Sequence, residues 1–379
     1  MRPLEGVRVL ELGRVLACPF AGMILAELGA DVIKVERAGG GEVMRTSDPQ
    51  SLAAGLMSSH FAAVNRNKRS IALDLKQAGD LDILKRILDR ADVLIHNYRP
   101  GVAERLGLDF DTLRKRNPRL IYAWATGFGE TGPLSKLGGQ DLIIQSLSGM
   151  ARESAAAGGS PHFTNPPAID FASGMTLVQG ILLALLHRER TGEGQKVSIN
   201  LLDTAVAVQS LEASTQMMHG RTTHWFELAP NFVFETRDGF VTVLGFFRDN
   251  PLGSICRALG VADASAAPHL ADARAQREHR EEIHALLADD FRAVATADIV
   301  ARLVEEDILC APVQTLAEAL AHPQLRENGM LTSVDIGGDR QARVVAHPLK
   351  LSAAPQSVRR HPPPLDAHRE EILRWLESE

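Results

Sequence analysis

The sequence predicts an α/β protein in which a large domain is built on an open parallel sheet and a smaller α+β domain follows it. The first observation is a strand, a short helix ending at Gly29 and a second strand within residues 7–36, which is a βαβ unit. The second is the repetition of that order as far as residue 200. The third is a change of pattern near Trp225, where apolar and polar residues alternate around Asp238-Gly239, a strong hairpin signal.

The elements of the predicted sheet are short apolar runs separated by turn or helix signals. Buried strands are predicted over 7–12, 31–36, 70–75, 92–97, 120–126 and 196–200, and helices over 19–28, 81–91, 109–116, 170–189 and 201–219. In the second half, the hairpin comprises 231–236 and 240–244, charged Ala-rich helices continue to about residue 320, and a strand-like segment over 337–351 precedes a short amphipathic helix.

Composition and charge exclude several classes of protein. The chain has 379 residues, 45% of them apolar, and its net charge of −6 disfavours nucleic acid as a partner. Its cysteines, Cys18, Cys256 and Cys310, form no CxxC pair, so neither a disulfide framework nor a structural zinc site is expected. The sequence opens without a signal-peptide pattern and its longest apolar stretch, 175–186, is too short to cross a bilayer. We therefore expect a cytoplasmic protein with no membrane partner.

Common cofactor and hydrolase motifs are missing. The turn that begins at Gly13, after the first strand, has no GxGxxG and so lacks the glycines that approach a pyrophosphate, which makes an NAD-dependent dehydrogenase a disfavoured alternative. GxxxxGK[ST], GxSxG and HExxH are also absent, which removes the usual sequence support for nucleotide hydrolysis, serine hydrolysis and metal catalysis. We expect no metal and no prosthetic group.

Short motifs follow one another at the ends of the predicted elements. They are 3–20 (PLEGVRVLELGRVLACPF), 28–37 (LGADVIKVER), 65–76 (NRNKRSIALDLK), 97–107 (NYRPGVAERLG), 127–133 (GFGETGP), 140–149 (QDLIIQSLSG), 169–174 (IDFASG) and 187–195 (HRERTGEGQ). In this order they resemble the family III CoA-transferases, the CaiB–BaiF family, and the resemblance covers nearly the whole chain. Each motif alone is modest support, and their shared order makes the resemblance specific.

The resemblance implies an enzyme that moves coenzyme A from an acyl-CoA thioester to a carboxylic acid. It also implies a large Rossmann-like domain formed by both chain ends, and an interlocked homodimer. The large domain would comprise residues 1–200 and 321–379, with 201–224 as a linker helix and 225–320 as the small domain.

Asp170 is the candidate catalytic residue. It follows Pro166-Pro167 and precedes an apolar helix, so the residues alone indicate a helix N-cap. The same place suits a nucleophile, because amides at a helix N-terminus stabilise a carboxylate or an adjacent oxyanion. In the family that this chain resembles, the Asp of this motif attacks the thioester. The resemblance therefore implies that Asp170 is the nucleophile, acting through mixed-anhydride and aspartyl-CoA thioester intermediates, and both roles can coexist.

A CoA site needs cations for its phosphates, and several stand near the predicted carboxyl ends of parallel strands. Each alone is more typical of a solvated surface, but their shared placement favours a phosphate site: Lys34, Arg37, Arg66, Lys68, Arg69, Arg99 and Arg105. By resemblance, Val15, Leu16 and Ala17 would line the CoA channel. By the same resemblance the adenosine-phosphate part would contact Arg37, the run from Leu73 to Lys76, Asn97, Tyr98, Arg99 and Arg105.

The residues at positions 140 and 141 distinguish transferases from racemases within this family, and the pair Gln140-Asp141 is assigned to the acyl pocket. The α-methylacyl-CoA racemases resemble this chain but have His-Asp there, and an amide cannot accept the α-proton. Gln140 therefore favours transfer; its alternative role is a structural amide in a buried turn.

The segment after the hairpin departs from the family, since several transferases have a glycine-rich loop where this chain has LGFFRDNP over 244–251. Phe246 and Phe247 either pack in the small-domain core or shape the acyl pocket, with Arg248 available for a substrate carboxylate. The acid pair stays open. So do two other functions: an acyl-CoA isomerase, by racemisation or intramolecular CoA transfer, and a CoA-binding protein without catalysis.

Overall fold

Six parallel strands form the central sheet of the computed structural model, which describes residues 2–154, 159–245, 248–355 and 357–378. The strand order is β3-β2-β1-β4-β5-β6, and every neighbouring pair is parallel. The strands are β1 (Arg8–Glu11), β2 (Asp31–Arg37), β3 (Lys68–Leu73), β4 (Val93–His96), β5 (Ile121–Thr126) and β6 (Lys196–Asn200). The predicted α/β class with a parallel sheet is confirmed.

Helices cover both faces of this sheet, so its strands read as continuous apolar runs. Alternate residues serve the two faces: Val9 packs in one core with the first helix, and Leu10 packs in the other. The helices of the N-terminal part are α1 (Ala17–Glu27), α2 (Pro49–Ala53), α3 (Ser59–Val64), α4 (Ala78–Asp89), α5 (Val102–Leu106), α6 (Phe110–Arg116), α7 (Asp141–Leu147), α8 (Met150–Glu153), α9 (Ala168–Thr191) and α10 (Leu201–Val208).

The chain divides into two compact units, Met1–Gln209 with Arg326–Glu379, and Ser210–Leu325. The predicted single helix over 201–219 is two helices, α10 and α11 (Ser210–His219), one in each unit. At the break, the side-chain amide of Gln209 donates to the carbonyl oxygens of Ser148 and Ala205.

Both chain ends contribute to the first unit. It contains the hairpin of β10 (Leu331–Asp335) and β11 (Gln341–Val345) and the terminal helix α18 (Arg369–Glu377). The C-terminal segment is fixed to the edge strand β3, where the amide of Ala72 donates to Asp366 Oδ1 at 2.8 Å. The predicted origin of the large domain from both ends is thereby confirmed.

The second unit has a three-stranded antiparallel sheet of order β7-β8-β9. The predicted hairpin is present, with Thr236 paired to Gly239 across a two-residue turn. The strands are β7 (Asn231–Thr236), β8 (Gly239–Leu244) and β9 (Leu309–Pro312). The further helices of this unit are α12 (Pro251–Leu259), α13 (Ala273–Glu278), α14 (Arg280–Ala293), α15 (Thr296–Glu305) and α16 (Leu316–Ala321), and α17 (Pro323–Glu327) includes the residue boundary with the first unit. Among the described residues, single-turn 3₁₀ helices lie at Val43–Arg45 in the first unit and at Trp225–Glu227, Ala264–Ala266 and Pro268–Leu270 in the second.

The helix α9 is, by length and composition, apolar enough to cross a membrane. It is longer than the apolar stretch noted in the sequence, because polar residues extend it at both ends. One face of α9 packs against α1, β5 and β6, where Leu177 and Ile181 are fully buried. Near its C-terminus Arg188 pairs with Asp92 at 2.9 Å. These contacts make α9 a core helix of the first unit.

Candidate active site

The strand order reverses at β1, which has β2 on one side and β4 on the other, and crevices at such switch points are the usual ligand sites of open α/β sheets. A cavity of about 450 Å³ opens there, at the carboxyl ends of β1, β4 and β5. Its walls include Arg14, Val15, Leu16, Ala17, Asn97, Tyr98, Arg99, Gly127, Leu137, Gln140, Ile143 and Asp170.

The turn after β1 forms one wall and is held in an unusual conformation. Val15 has a φ of 69°, in the left-handed region that β-branched residues rarely adopt. Its amide donates to Glu42 Oε2 at 2.9 Å, and the carbonyl oxygen of Gly13 accepts from Lys34 Nζ at 3.0 Å. Such a conformation persists only where the surroundings fix it, and here buried charged groups do so.

Those groups form a buried ion cluster of Glu11, Lys34, Glu42 and Lys68. Glu11 pairs with Lys34 at 2.7 Å and with Lys68 at 2.8 Å, and Glu42 lies 3.5 Å from Lys34. Burial alone would lower the pKa of Lys34, but Glu11 and Glu42 hold it above its usual value. Burial lowers the pKa of Lys68 to about 8 in spite of its pairing with Glu11.

Four of the cations that the sequence suggested as phosphate ligands instead form ion pairs with carboxylates of this chain. Lys34 and Lys68 belong to the buried ion cluster. Arg66 is buried against Glu27 at 2.6 Å, and Arg69 pairs with the carboxylate of Asp31, its Nε lying 3.0 Å from Oδ1. The phosphate role suggested for these four is wrong, because each cation is buried and already paired with a carboxylate.

Asp170 lies inside the first turn of α9, not at its cap. The helix begins at Ala168, and Pro167 at the N-cap supplies no side-chain acceptor. The Asp170 carboxylate lines the cavity, and within the described ranges of the chain it accepts no hydrogen bond. Burial, with a smaller contribution from the Asp141 carboxylate, raises the pKa of Asp170 to about 6. At neutral pH it is thus an ionised carboxylate to which none of the described residues donates.

The acceptor for the α9 amides comes from α7. Asp141 Oδ2 accepts from the amides of Ile169 at 2.8 Å and Asp170 at 3.0 Å, and Gln145 Nε2 donates to Oδ1. Asp141 is 5% exposed and does not line the cavity. Its carboxylate therefore binds the buried amides of α9 and does not lie in the acyl pocket, to which the sequence assigned it. The capping function assigned to Asp170 thus belongs to Asp141.

Gln140 does line the cavity. It precedes α7 at its N-cap position without a side-chain capping bond, and its side chain is exposed. Among the described residues its amide has no hydrogen-bond partner, so it is available to a bound molecule.

A second cavity of about 260 Å³ adjoins the first and shares Arg14 and Tyr98 with it. Arg37 from the end of β2 and the segment from Leu73 to Lys76 after β3 line it. Arg37 and Lys76 are exposed, and neither forms an ion pair with any residue that the structure describes. Arg105, on α5, lines neither cavity.

Three residues assigned to the acyl pocket follow the hairpin of the second unit. Phe246 and Phe247 lie outside the described residues. Arg248 forms an ion pair with Asp307, and its guanidinium also donates to the carbonyl oxygens of Glu306 and Asp307 at 3.2 and 3.1 Å. Within the ranges described, no group of three or more His, Cys, Asp or Glu side chains could hold a metal ion.

Comparisons with known proteins give matches over nearly the whole chain. The model of CoA-transferase family III matches residues 4–369. A succinate–glutarate CoA-transferase of Agrobacterium fabrum is 32% identical, with 99% of this chain and 96% of that protein covered. A succinyl-CoA:mesaconate CoA-transferase of Haloarcula hispanica is 35% identical over 98% of this chain and 96% of that protein. Among solved structures, a CaiB/BaiF family protein of Brucella suis has a TM-score of 0.90 at 29% identity, covering 99% of both chains.

Proposed function

The chain belongs to CoA-transferase family III and is a CoA-transferase; from that premise we propose that it exchanges CoA between short dicarboxylic acids, with Asp170 as the covalent nucleophile. The observation that carries the proposal is the Asp170 carboxylate, which is ionised at neutral pH, free of donors within the described chain and on the wall of a cavity. The similar proteins are named for succinate, glutarate and mesaconate, and the exposed cation Arg14 in the same cavity suits a second carboxylate.

The proposed reaction proceeds by acyl transfer through the aspartyl group. The Asp170 carboxylate attacks the thioester carbonyl, the C–S bond breaks, and CoA thiolate leaves a mixed anhydride. The thiolate then attacks the aspartyl carbonyl and releases the first acid, so that CoA is held as an aspartyl thioester. The incoming carboxylate displaces the thiolate to form a second anhydride. Thiolate attack on its acyl carbonyl frees the new acyl-CoA and Asp170. Each step exchanges one anion for another, so no proton is gained or lost.

The two adjoining cavities support a bound CoA in one orientation. We propose that Val15, Leu16, Ala17 and Asn97 flank the thioester end near Asp170, with Gln140 beside the acyl group. The nucleotide end would lie against Tyr98, Arg37 and the segment from Leu73 to Lys76, with Arg99 and Arg105 contributing charge to its phosphates. Asp170 lines one of the two adjoining cavities and the exposed cations Arg37 and Lys76 line the other, as this orientation requires.

Arg37→Ala and Lys76→Ala are each expected to raise the KM for acyl-CoA about tenfold and to change kcat less than about threefold. Groups that bind a distant phosphate contribute equally to the ground and transition states. Steady-state kinetics and calorimetry with free CoA measure this, and Arg114→Ala, an exposed arginine on α6, is the matched control. Unchanged CoA affinity in both variants would remove the phosphate assignment.

The proposed function is tested by incubating the enzyme with succinyl-CoA and a panel of mono- and dicarboxylic acids, and by mass spectrometry of the acyl-CoA products. We expect glutaryl-CoA or mesaconyl-CoA type products and weak transfer to monocarboxylates. Transfer only to monocarboxylates would overturn the dicarboxylate assignment. The isomerase alternative is tested by incubating the enzyme with a chiral 2-methylacyl-CoA in heavy water without an added acid. Rapid deuteration at the α-carbon would show that the enzyme is an isomerase. An enzyme that binds CoA but yields no new thioester would be the non-catalytic alternative.

We also propose that the protein is a homodimer. Several apolar side chains of α7 and α9 are exposed. They include Leu142, Leu147, Leu183 and Leu186. These two helices pack against each other, and extensive exposed apolar surface marks protein–protein contacts. Light scattering at micromolar concentration is expected to give twice the chain mass, and a monomer mass would contradict the proposal.

A further inference from the structure

The first turn of α9 is capped from a distance. The first amides of a helix have no partner within the helix and usually bond to a side chain at the N-cap. Here the N-cap is Pro167, which has no side-chain acceptor, and the amides at the second and third helical positions, Ile169 and Asp170, both donate to Asp141 Oδ2. A residue of another helix, 29 positions from Asp170, therefore performs the capping.

The acceptor is itself fixed. Asp141 is the first residue of α7, and the fully buried Gln145, one turn later, donates to its Oδ1. The Gln145 side-chain oxygen accepts from the amide of Thr164 at 2.9 Å, in the segment that leads into α9. Three hydrogen bonds of Asp141 and Gln145 thus join α7 to this segment and to the start of α9, and a fourth, between the two side chains, lies within α7.

We propose that Asp141 is a positioning residue for CoA transfer: by accepting the Ile169 and Asp170 amides, it fixes the turn from which the Asp170 carboxylate faces the cavity and leaves that carboxylate without donors. This rests on the proposed function of Asp170. A carboxylate that accepts several hydrogen bonds is a weak nucleophile, because those bonds must be broken before it attacks. The amides that would otherwise stabilise Asp170 are occupied by Asp141.

The same arrangement has an electrostatic consequence. Asp141 from α7 is the charged group that raises the pKa of Asp170, whereas the neighbouring Cys18 of α1 stays a neutral thiol because burial raises its pKa well above the usual value. Burial and then Asp141 raise the pKa of Asp170 to about 6. Since the carboxylate is the reactive form, kcat/KM of the wild type should fall as the pH drops through about 6. Removing the Asp141 charge should move this fall to lower pH.

Asp141→Asn is the primary test, because it retains the shape and one acceptor oxygen but removes the charge. We expect kcat about tenfold below the wild type, KM for succinyl-CoA within about threefold, and an acid limb displaced to lower pH. Asp141→Ala removes the acceptor as well, and kcat should fall about a hundredfold, since a small misplacement of a reacting group has effects of that size. The matched control is Asp109→Asn, which alters the cap of α6, where Asp109 accepts from the Thr112 amide at 3.0 Å, away from both cavities.

The outcomes distinguish this inference from the function on which it rests. If the wild type transfers CoA and Asp141→Asn has wild-type kcat and an unmoved acid limb, Asp141 has no positioning role, whatever its effect on thermal unfolding. If Asp141→Asn lowers kcat only as much as Asp109→Asn does, the effect is general destabilisation and the inference is also wrong. A wild type that transfers no CoA refutes the proposed function itself.

Discussion

Asp170→Ala is expected to lower kcat for CoA transfer on the order of 10⁴-fold or more, while acyl-CoA still binds. The proposed route places every intermediate on this carboxylate, and loss of a covalent nucleophile reduces turnover by several orders of magnitude in other enzymes. The contacts proposed for the nucleotide end, at Arg37 and Lys76, are unchanged by the substitution. The KM and the affinity for free CoA should therefore stay within about threefold of the wild type.

The fold should tolerate this substitution. In the described part of the chain the Asp170 carboxylate accepts no hydrogen bond, and the α9 amides keep their acceptor, Asp141. Removing a partly buried carboxylate also removes its desolvation penalty and its repulsion with Asp141. We expect thermal stability equal to that of the wild type or slightly above it, so that lost activity reports on chemistry.

The measurement combines kinetics with detection of the covalent intermediate. Wild-type enzyme incubated with succinyl-CoA and then denatured with acid should gain the mass of CoA less one water, as an aspartyl thioester does, and Asp170→Ala should gain none. Asp111→Ala, an exposed acidic residue in the first turn of α6, is the matched control and should behave as the wild type. A variant that retains more than about a hundredth of wild-type turnover would exclude Asp170 as the nucleophile.

Much of the sheet could be predicted from the sequence because strands buried on both faces leave short apolar runs. The strand β6 has the predicted bounds, Lys196–Asn200, and β5 differs by one residue at its start. The hairpin was predicted from Asp238-Gly239, and it is present with Arg237-Asp238 as its two-residue turn and Gly239 as the first residue of β8. These signals are local, so a single sequence contains them.

The parts of the site that were not predicted depend on contacts distant in sequence. The carboxylate partners of Lys34, Arg66 and Arg69 lie 23, 39 and 38 positions away, and no periodicity shows that those strands and helices bring them together. A buried paired cation and an exposed phosphate ligand therefore look alike in the sequence. The capping of α9 by Asp141 has the same origin. Its one local signal was Pro167, which left the amides without a nearby acceptor.

Glu11→Gln is expected to lower the free energy of unfolding by about 3–5 kcal/mol, because it leaves buried lysines without their carboxylate. Glu11, Lys34 and Lys68 are each 0% exposed in their side chains. The space is too tight for repacking or for water, since Gly22 of α1 lies so close that a Cβ there would be 2.0 Å from Glu11 Oε2. After the substitution Lys34 still has Glu42 at 3.5 Å. Lys68 keeps the neutral oxygens of Pro19 and Asn65 as hydrogen-bond acceptors and, among the described residues, has no directly paired carboxylate.

The pH dependence of this loss follows from Lys68. Glu11 raises the pKa of Lys68 against the effect of burial, which holds it at about 8 in the wild type, and its removal should lower that pKa further. Below pH 8 the wild type binds a proton that the variant binds less well, so the deficit of the variant should grow as the pH falls and shrink above pH 8. Denaturant unfolding at pH 6, 7 and 9 measures the trend. A deficit that is independent of pH would contradict this assignment of the uncompensated charge.

Two further variants separate the buried charge from other effects of Glu11→Gln. Glu371→Gln removes a half-exposed partner of Arg69, 3.3 Å away, and should change stability by less than about 1 kcal/mol because solvent screens that pair.

Adding Lys68→Met to Glu11→Gln removes the stranded ammonium and should restore part of the lost stability, although the Pro19 and Asn65 oxygens lose their donor. The KM for acyl-CoA should also rise in Glu11→Gln, since Lys34 then holds the Gly13 carbonyl, and with it the strained Val15 turn, less firmly. A double variant less stable than Glu11→Gln alone would show that hydrogen bonds made by Lys68, and not its charge, dominate the buried ion cluster.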